Sequence, residues 1–250
     1  MNASRKEKVR LDLLLVQRGL AESREKARGI IMAGLVEVNR CLMDKPGYLV
    51  SPTSSIDLKR PYPPYVSRGG LKLEAAVESF SVPVKGNVIL DIGSSTGGFT
   101  DCLLQRGAKR VIAVDVGYGQ LHWRLRQDPR VTVFEKTNIR YLKPQDLKDA
   151  VHGAVIDVSF ISLRLVIPPV SDLLLREAFI LALIKPQFEV GREKVGKGGV
   201  VRDASLHRDV IETLIVFSEG LGWTVVGTMT SPLLGPKGNT EFFLYLKGRR

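Results

Sequence analysis

Cysteine is scarce in this chain of 250 residues: there are two, Cys41 and Cys102, in regions of different character. Without a C-x-x-C spacing or a Cys/His cluster, neither a disulfide framework nor a structural zinc site is expected. No apolar run approaches the ~20 residues that span a bilayer, and the polar start MNASRKEK lacks the apolar core of a signal peptide. We therefore expect a cytoplasmic protein with reduced thiols and no membrane association.

Acidic residues are also under-represented, because 37 Lys and Arg face 26 Asp and Glu, a net charge of +11. A hydrophobic content of 44% still indicates a globular chain. More than half of the net positive charge lies in residues 1–72, which carry 14 basic and 7 acidic side chains. The charge favours a polyanionic partner, with nucleic acid the first candidate. A general compositional bias is the alternative.

The most informative stretch is 87–98, NVILDIGSSTGG. Its first half is apolar without alternation, which predicts a buried parallel strand. Asp91 then marks the carboxyl end of that strand, and Gly93, Gly97 and Gly98 let the backbone turn sharply and approach a ligand closely. The spacing is D-x-G-x-x-x-G, not the G-x-G-x-x-G that cradles a pyrophosphate.

A second carboxylate, Asp115, ends the next predicted strand, 110–115. Ligands of open parallel sheets bind beyond the carboxyl ends of the strands. This acid is therefore placed to accept hydrogen bonds from both ribose hydroxyls of an adenosine-containing cofactor. Together with the glycine spacing, it resembles the first motifs of S-adenosylmethionine-dependent methyltransferases. The alternative is an ordinary strand–turn–helix of an α/β domain.

The chain divides into a small domain over 1–58, a proline-rich linker over 59–65 (KRPYPPY) and a larger domain over 66–250. The larger domain alternates strands and helices, which predicts a parallel sheet covered on both faces. Its last two strands are close in sequence, as a hairpin at one sheet edge requires. Strands are predicted near 87–91, 110–115, 131–134, 153–157, 179–184, 223–229 and 240–246, and helices near 70–79, 98–106, 119–126, 162–175 and 204–220.

The small domain resembles the S4 RNA-binding domain. The matching elements are Arg10-x-Asp12, Leu14-Leu15, Gly19, Ser23-Arg24, Ala27, Ile31, Gly34-x-Val36 and Val38-Asn39. Cations near the start of the second helix lie where the macrodipole and free N–H groups already favour phosphate, although a solvated basic face is the alternative. The residues expected to contact RNA are Arg10, Arg18, Ser23, Arg24, Lys26, Arg28, Asn39 and, beyond the linker, Arg68.

Four ionisable residues are predicted to converge at the ligand end of the larger sheet. Asp157 and Lys185 follow two strands, Glu241 opens the last strand, and Lys72 lies in the first helix after the linker. A ribose 2′-hydroxyl is a weak acid that needs a positioned base. A lysine can serve when a neighbouring cation and partial desolvation lower its pKa. Methyl transfer from a sulfonium needs no metal ion, so no metal site is expected.

This set of residues resembles the Lys-Asp-Lys-Glu tetrad of FtsJ-like RNA 2′-O-methyltransferases. An S4 domain followed by such a domain, with the phrases YVSRGG (65–70), DVGYGQL (115–121) and KPQFE (185–189), is similar to the TlyA/haemolysin A family. The resemblance implies an α/β fold: a Rossmann-like class I methyltransferase with a seven-stranded, mostly parallel sheet, preceded by a small α+β S4-type domain. It also implies an enzyme that methylates the 2′-hydroxyl of a cytidine ribose in ribosomal RNA, on a ribosomal subunit.

By the same resemblance, Lys185 would be the base, Lys72 would tune it or orient the hydroxyl, and the two carboxylates would hold the lysines. The residues expected at the S-adenosyl-L-methionine site are Asp91, Gly93, Ser94, Gly97, Gly98, Phe99, Asp115, Val116, Asn138 and Asp157. The basic, glycine-rich loop 191–203 is either a lid or a plain connection. Two other functions stay open, a haemolysin or pore-former and a non-catalytic ribosome-assembly factor. The sequence does not indicate the oligomeric state.

Overall fold

The computed structural model describes residues 8–32, 34–58 and 64–249, and the chain divides into two compact units, Met1–Pro64 and Tyr65–Arg250. Most of the predicted linker 59–65 lies outside the described residues. Its last position, Tyr65, is not part of a linker, because its ring is buried in the core of the second unit. Within the residues that the structure describes, no helix combines the length and apolar character that crossing a bilayer requires.

The first unit packs two helices against short antiparallel strands. Its apolar core is formed mainly by residues of both helices and of the strand Val36–Val38, among them Leu15, Ile31 and Val36. Just before the first helix, residues 9 and 10 pair as a strand with Leu49 and Val50. The elements are β1 (Val9–Arg10), α1 (Leu11–Gln17), α2 (Arg24–Met32), β2 (Val36–Val38), β3 (Cys41–Met43), β4 (Leu49–Val50) and β5 (Ile56–Leu58).

The second unit is built on a seven-stranded sheet. The strands are β6 (Val88–Ile92), β7 (Arg110–Val114), β8 (Val131–Phe134), β9 (Val151–Ile156), β10 (Leu174–Ile184), β11 (Trp223–Thr230) and β12 (Phe242–Arg249). Their order is β11-β12-β10-β9-β6-β7-β8. Only β12 runs antiparallel to its neighbours, β10 and β11. The predicted α/β fold with a mostly parallel sheet is confirmed.

Helices cover both faces of this sheet. They are α3 (Gly69–Phe80), α4 (Gly98–Gln105), α5 (Trp123–Arg126), α6 (Ile167–Ser171) and α7 (Ala204–Gly220). Successive residues of β6 point to opposite faces. Leu90 therefore joins the core under α6 and α7, whereas Ile89 joins the core under α3, α4 and α5. The strand is buried along its whole length, which explains its apolar sequence.

The predicted helix 162–175 is wrong. The segment holds a 3₁₀ turn at Leu163–Leu165, the five-residue α6, and the start of β10 at Leu174. Pro168 and Pro169 are tolerated only in the first turn of a helix, since proline has no N–H to donate. The helix predicted at 119–126 is likewise reduced to the single turn of α5.

The reversed strand β12 places its first residues beside the end of β10. Ile184 pairs with Phe242 in this antiparallel register. Lys185 and Glu241, the next residue outward on each strand, are therefore neighbours at the carboxyl edge of the parallel sheet. The fold brings a residue from late in the sequence to the same edge as Asp157, which follows β9.

Candidate active site

In the turn after β6, the backbone passes very close to the segment that follows β9. Gly93 has a φ of +82°, and a Cβ there would lie 2.5 Å from the carbonyl oxygen of Asp157. Gly97 has a φ of +97°, and a Cβ there would lie 2.3 Å from a methyl group of Leu125. Both positions need glycine for conformation and for space. The turn can therefore lie directly against the segment that follows β9.

Beside this turn opens a cleft of about 440 Å³, which we name the cofactor cleft. Asp115 lies in its wall at the end of β7. One carboxylate oxygen accepts the Ser95 N–H at 2.8 Å and the other accepts the Gly117 N–H at 2.7 Å. These bonds fix the carboxylate and leave lone pairs for a ligand. Val116, 71% exposed, adds an apolar surface.

Asn138 also lines the cofactor cleft, next to the buried Ile139. Its Oδ1 accepts the Arg140 backbone N–H at 3.1 Å and caps a short 3₁₀ turn. The predicted site residues Gly93, Asp115, Val116, Asn138 and Asp157 thus line one cleft. A carboxylate, an amide and apolar walls suit a nucleoside.

Asp91 occupies a different position from the predicted one. Its side chain is fully buried and lines neither this cleft nor the next, and Thr100 Oγ1 donates to its Oδ2 at 2.6 Å. Burial raises the pKa of Asp91 to about 7. Gly97 also lines neither cleft. Asp91 supports the glycine turn from beneath, because β6 is buried along its whole length, whereas Gly97 belongs to the turn itself and packs against Leu125.

A second cleft, of about 250 Å³, adjoins the first, and we name it the reaction cleft. The two share Gly93, Ser95 and Asp157. The predicted residues Ser94, Gly98 and Phe99 line this second cleft rather than the first. All four ionisable residues of the predicted tetrad line it as well, namely Lys72, Asp157, Lys185 and Glu241.

The tetrad forms two ion pairs. Lys72 Nζ lies 2.5 Å from Glu241 Oε2, and Lys185 Nζ lies 2.6 Å from Asp157 Oδ1. The first pair is almost fully buried, with side-chain exposures of 6% for Lys72 and 0% for Glu241. The second pair is more exposed to solvent, at 10% for Lys185 and 25% for Asp157. Buried charges of this kind are stable only when they are paired.

The surroundings of the two pairs differ: Lys185 makes a further hydrogen bond, whereas Glu241 is packed against backbone. Lys185 Nζ also donates to Ser159 Oγ at 3.0 Å. Glu241 Oε1 is buried with no hydrogen-bond partner among the described residues. A Cβ on Gly235 would lie 2.0 Å from this oxygen, so the chain packs directly against the carboxylate. Ser159 and Gly235 are not predicted from the sequence, because lone serines and glycines beside strand ends are too common to be a signal.

Helix α3 reaches the reaction cleft because its start packs tightly on the start of α4. A Cβ on Gly98 would lie 2.2 Å from Ser67 Oγ and 2.9 Å from the Gly70 nitrogen. This close approach places the Lys72 side chain over the cleft. Arg68, predicted to contact RNA, is exposed and lines the same cleft.

The predicted RNA-contacting residues of the first unit are exposed except for Arg10, which is half-buried, and three arginines are already engaged. Arg10 and Arg24 both hydrogen-bond the buried Asp12, at 3.0 Å each. Arg18 donates to the backbone carbonyls of Ser54 and Pro52. These contacts hold the guanidinium groups in fixed positions on the surface of the unit.

The remaining four residues of that prediction lie near the start of α2 or in a turn. Ser23 Oγ accepts the Lys26 backbone N–H at 3.2 Å, and Lys26 Nζ lies 4.0 Å from Glu22. Arg28 is exposed on α2. Asn39 Oδ1 accepts the Ser55 N–H at 3.0 Å across a turn.

Over the described ranges of the chain, no cluster of His, Cys, Asp or Glu could hold a metal ion.

An open sheet with one reversed strand inserted near its edge, a glycine turn and an acid after the second strand defines the class I methyltransferase fold. The FtsJ-like methyltransferase model matches residues 65–248 and the S4 domain model matches residues 9–56. The chain therefore belongs to the FtsJ-like methyltransferase family and carries an S4 domain. The resemblance inferred from the sequence is confirmed.

Relatives are similar over nearly the whole chain. A Bacillus subtilis protein named "Putative rRNA methyltransferase YqxC" is 55% identical over 240 residues, 96% of this chain and 85% of that protein. A Mycobacterium tuberculosis protein named "16S/23S rRNA (cytidine-2'-O)-methyltransferase TlyA" is 47% identical over 96% of this chain and 90% of its own length. The solved structure "Putative hemolysin from Streptococcus thermophilus" is 46% identical, with a TM-score of 0.74, and covers 98% of this chain and 90% of its own.

Proposed function

We propose that this chain transfers the methyl group of S-adenosyl-L-methionine to the 2′-hydroxyl of a cytidine ribose in ribosomal RNA. The observation that carries the proposal is the meeting of two lysine–carboxylate pairs in a cleft that adjoins the cofactor cleft. The substrate class comes from the name of the tuberculosis relative, which is 47% identical over 96% of this chain. The cytoplasm, where ribosomes are assembled, is the corresponding location.

The residues of the cofactor cleft fit an adenosyl group. Asp115 is held by two backbone N–H groups in an orientation that leaves lone pairs for ribose hydroxyls. The glycine turn at Gly93 leaves no room for a side chain, and Val116 and Ile139 offer apolar contact to a base. When bound, S-adenosylmethionine supplies a methyl group activated by a sulfonium.

In the reaction cleft, Lys185 Nζ would take the proton of the ribose hydroxyl. Asp157 and Ser159 would hold the ammonium that results, at the 2.6 Å and 3.0 Å contacts already present. Lys72, fixed by Glu241, would orient the hydroxyl. Since most of the polar groups are preset by ion pairs, the cleft contributes mainly positioning and exclusion of water.

The S4 unit supplies the RNA contact in this proposal. Its cations are exposed or, for Arg10, half exposed, while Asp12 and backbone carbonyls fix three of them. Preset cations lose less side-chain entropy on binding phosphate than free ones. Such a surface reads the shape and backbone of RNA more than its sequence, which is consistent with a structured ribosomal subunit as the partner.

Lys185→Ala tests the assignment of the base. We expect the rate of methyl transfer to ribosomal subunits to fall on the order of 10³-fold, as for loss of a general base, while binding of S-adenosylmethionine is unchanged. Transfer is measured with radiolabelled cofactor, the ribose methyl is located by mass spectrometry, and binding is measured by calorimetry. The exposed Lys109 provides the matched control as Lys109→Ala.

An active Lys185→Ala variant would refute the assignment of the base. Wild-type protein that binds ribosomal RNA but not S-adenosylmethionine would support a non-catalytic assembly factor instead. Lysis of lipid vesicles by the purified protein, unaffected by Lys185→Ala, would support the haemolysin alternative.

A further inference from the structure

Two segments that follow neighbouring strands are joined side by side at the reaction cleft. Segment 157–163 follows β9 and segment 185–190 follows β10. Near the cleft, Lys185 Nζ donates to Ser159 Oγ at 3.0 Å. One step further out, the rings of Phe160 and Phe188 lie 5.0 Å apart.

At the far end of the two segments, a carboxylate fastens them together. Glu189 Oε2 accepts the Ser162 hydroxyl at 2.6 Å, and Glu189 Oε1 accepts the Leu163 N–H at 2.8 Å. Leu163 is 2% exposed and belongs to the main core, so this end is fixed to the interior. Glu189 itself lines neither the cofactor cleft nor the reaction cleft. The proposed reaction gives it no role.

The amine of Lys185 meets two groups on segment 157–163. It donates a hydrogen bond to Ser159 Oγ at 3.0 Å and forms an ion pair with Asp157 Oδ1 at 2.6 Å. When the amine is neutral, it carries two N–H groups and one lone pair. The hydrogen bond to Ser159 fixes one N–H and so limits the directions in which a flexible lysine can present that lone pair, and Glu189 bonds the far end of the segment that carries Ser159.

We propose that Ser159 and Glu189 are positioning residues for Lys185. Ser159 acts directly, by accepting one N–H of the amine. Glu189 acts through Ser162 and Leu163, by clamping the segment that carries Asp157 and Ser159. The proposal rests on the proposed function, because it requires Lys185 to accept the proton of the ribose hydroxyl.

The test compares three variants at the clamp with two matched controls. Ser159→Ala removes the hydroxyl, Ser159→Thr retains it, and Glu189→Gln removes one of the two accepting oxygens. The controls lie at the start of α7, where Asp203 Oδ1 accepts both the N–H and the hydroxyl of Ser205 at 2.7 Å. Asp203→Asn and Ser205→Ala disturb the same kind of cap at residues that line neither cleft.

We expect Ser159→Ala and Glu189→Gln to slow single-turnover methyl transfer on the order of ten-fold, as for loss of a charge-assisted hydrogen bond. Affinities for S-adenosylmethionine and for ribosomal RNA should stay within about two-fold of wild type, and Ser159→Thr should recover most of the rate. Both controls should keep the wild-type rate. The split between rate and affinity, with rescue by threonine, separates positioning from a general structural defect.

Wild-type rates in both Ser159→Ala and Glu189→Gln would overturn the proposal. So would a rate loss matched by equal loss of cofactor affinity and of thermal stability, because that pattern indicates local unfolding. If Lys185→Ala is inactive while these variants are fully active, only the positioning proposal fails. If Lys185→Ala is active, the proposed function fails.

Discussion

Two buried carboxylates, one in each unit, differ sharply in their chemistry. The side chains of Asp12 and Asp91 are both fully buried. Hydrogen bonds from Arg10 and then Arg24 lower the pKa of Asp12 to about 2, whereas burial raises the pKa of Asp91 to about 7. The Thr100 hydroxyl donates to Asp91 Oδ2, and Asp91 Oδ1 has no hydrogen-bond partner among the described residues. Partners, rather than burial, decide whether a buried acid is charged.

Asp12 and Asp91 show two different roles that a buried acid can have beneath a functional surface. Asp12 is an ionised anchor that holds two surface guanidinium groups. Asp91, whose pKa burial raises to about 7, is still partly protonated near pH 7 and fills the space beneath the glycine turn. Glu241 is also fully buried and, like Asp12, has a cationic partner, because Lys72 Nζ lies 2.5 Å from its Oε2.

The largest effect is expected when Lys72, the cationic partner of Glu241, is removed. Lys72→Met should destabilise the second unit by about 3–5 kcal/mol, because it leaves a buried carboxylate without its partner. Unfolding in urea is followed by the fluorescence of Trp123 and Trp223, which both lie in the second unit. The double variant Lys72→Met/Glu241→Gln should regain a large part of the loss. If the single variant costs less than about 1 kcal/mol, water already reaches Glu241.

The pH dependence contributed by Asp91 should be nearly as large. Folding raises its pKa from 3.8 to about 7, so its stabilising contribution is complete below pH 4 and is lost as pH rises through 7. The loss is about 4 kcal/mol for a shift of this size. It is measured as the difference in unfolding free energy between wild type and Asp91→Asn from pH 4 to pH 8. Parallel curves for the two proteins would mean that Asp91 is ionised throughout.

Asp12 should give a smaller effect of opposite sign. Folding lowers its pKa from 3.8 to about 2, so its contribution is present above pH 4 and is lost as pH falls through 2. We expect about 1–2 kcal/mol, because the two arginines are half exposed to solvent. Hydrogen exchange of peptides from α1 and α2, compared between wild type and Asp12→Asn, measures it. Equal protection in both proteins at pH 5 would contradict the anchoring role.

The order of strands and turns could be predicted from the sequence because each signal is local. An apolar run followed by glycines indicated β6 and its turn, an acid and a lysine after two other strands indicated Asp157 and Lys185, and the resemblance to FtsJ-like enzymes added Lys72 and Glu241. Convergence of Asp157 and Lys185 follows from parallel strands sharing one edge. Glu241 was harder, since its place depends on β12 running antiparallel next to β10, which only the closeness of the last two strands suggested.

The rest depends on three-dimensional packing that a sequence pattern does not record. Asp91 and Asp115 look alike as acids after strands, yet only Asp115 reaches a cleft. Ser159 and Glu189 gain their roles from contacts between two separate segments. The helix predicted over 162–175 failed because Pro168 and Pro169 confine the helical part to the short α6 and Leu174 already pairs with Val151 at the start of β10.

The insertion of β12 into the interior of the sheet has a consequence for incomplete chains. A polypeptide interrupted before residue 241 would leave the apolar strand β10 as an open edge, and Lys72 without its carboxylate. Exposed apolar edges recruit other strands and aggregate. We therefore expect truncated copies of the chain to aggregate rather than to accumulate as folded protein.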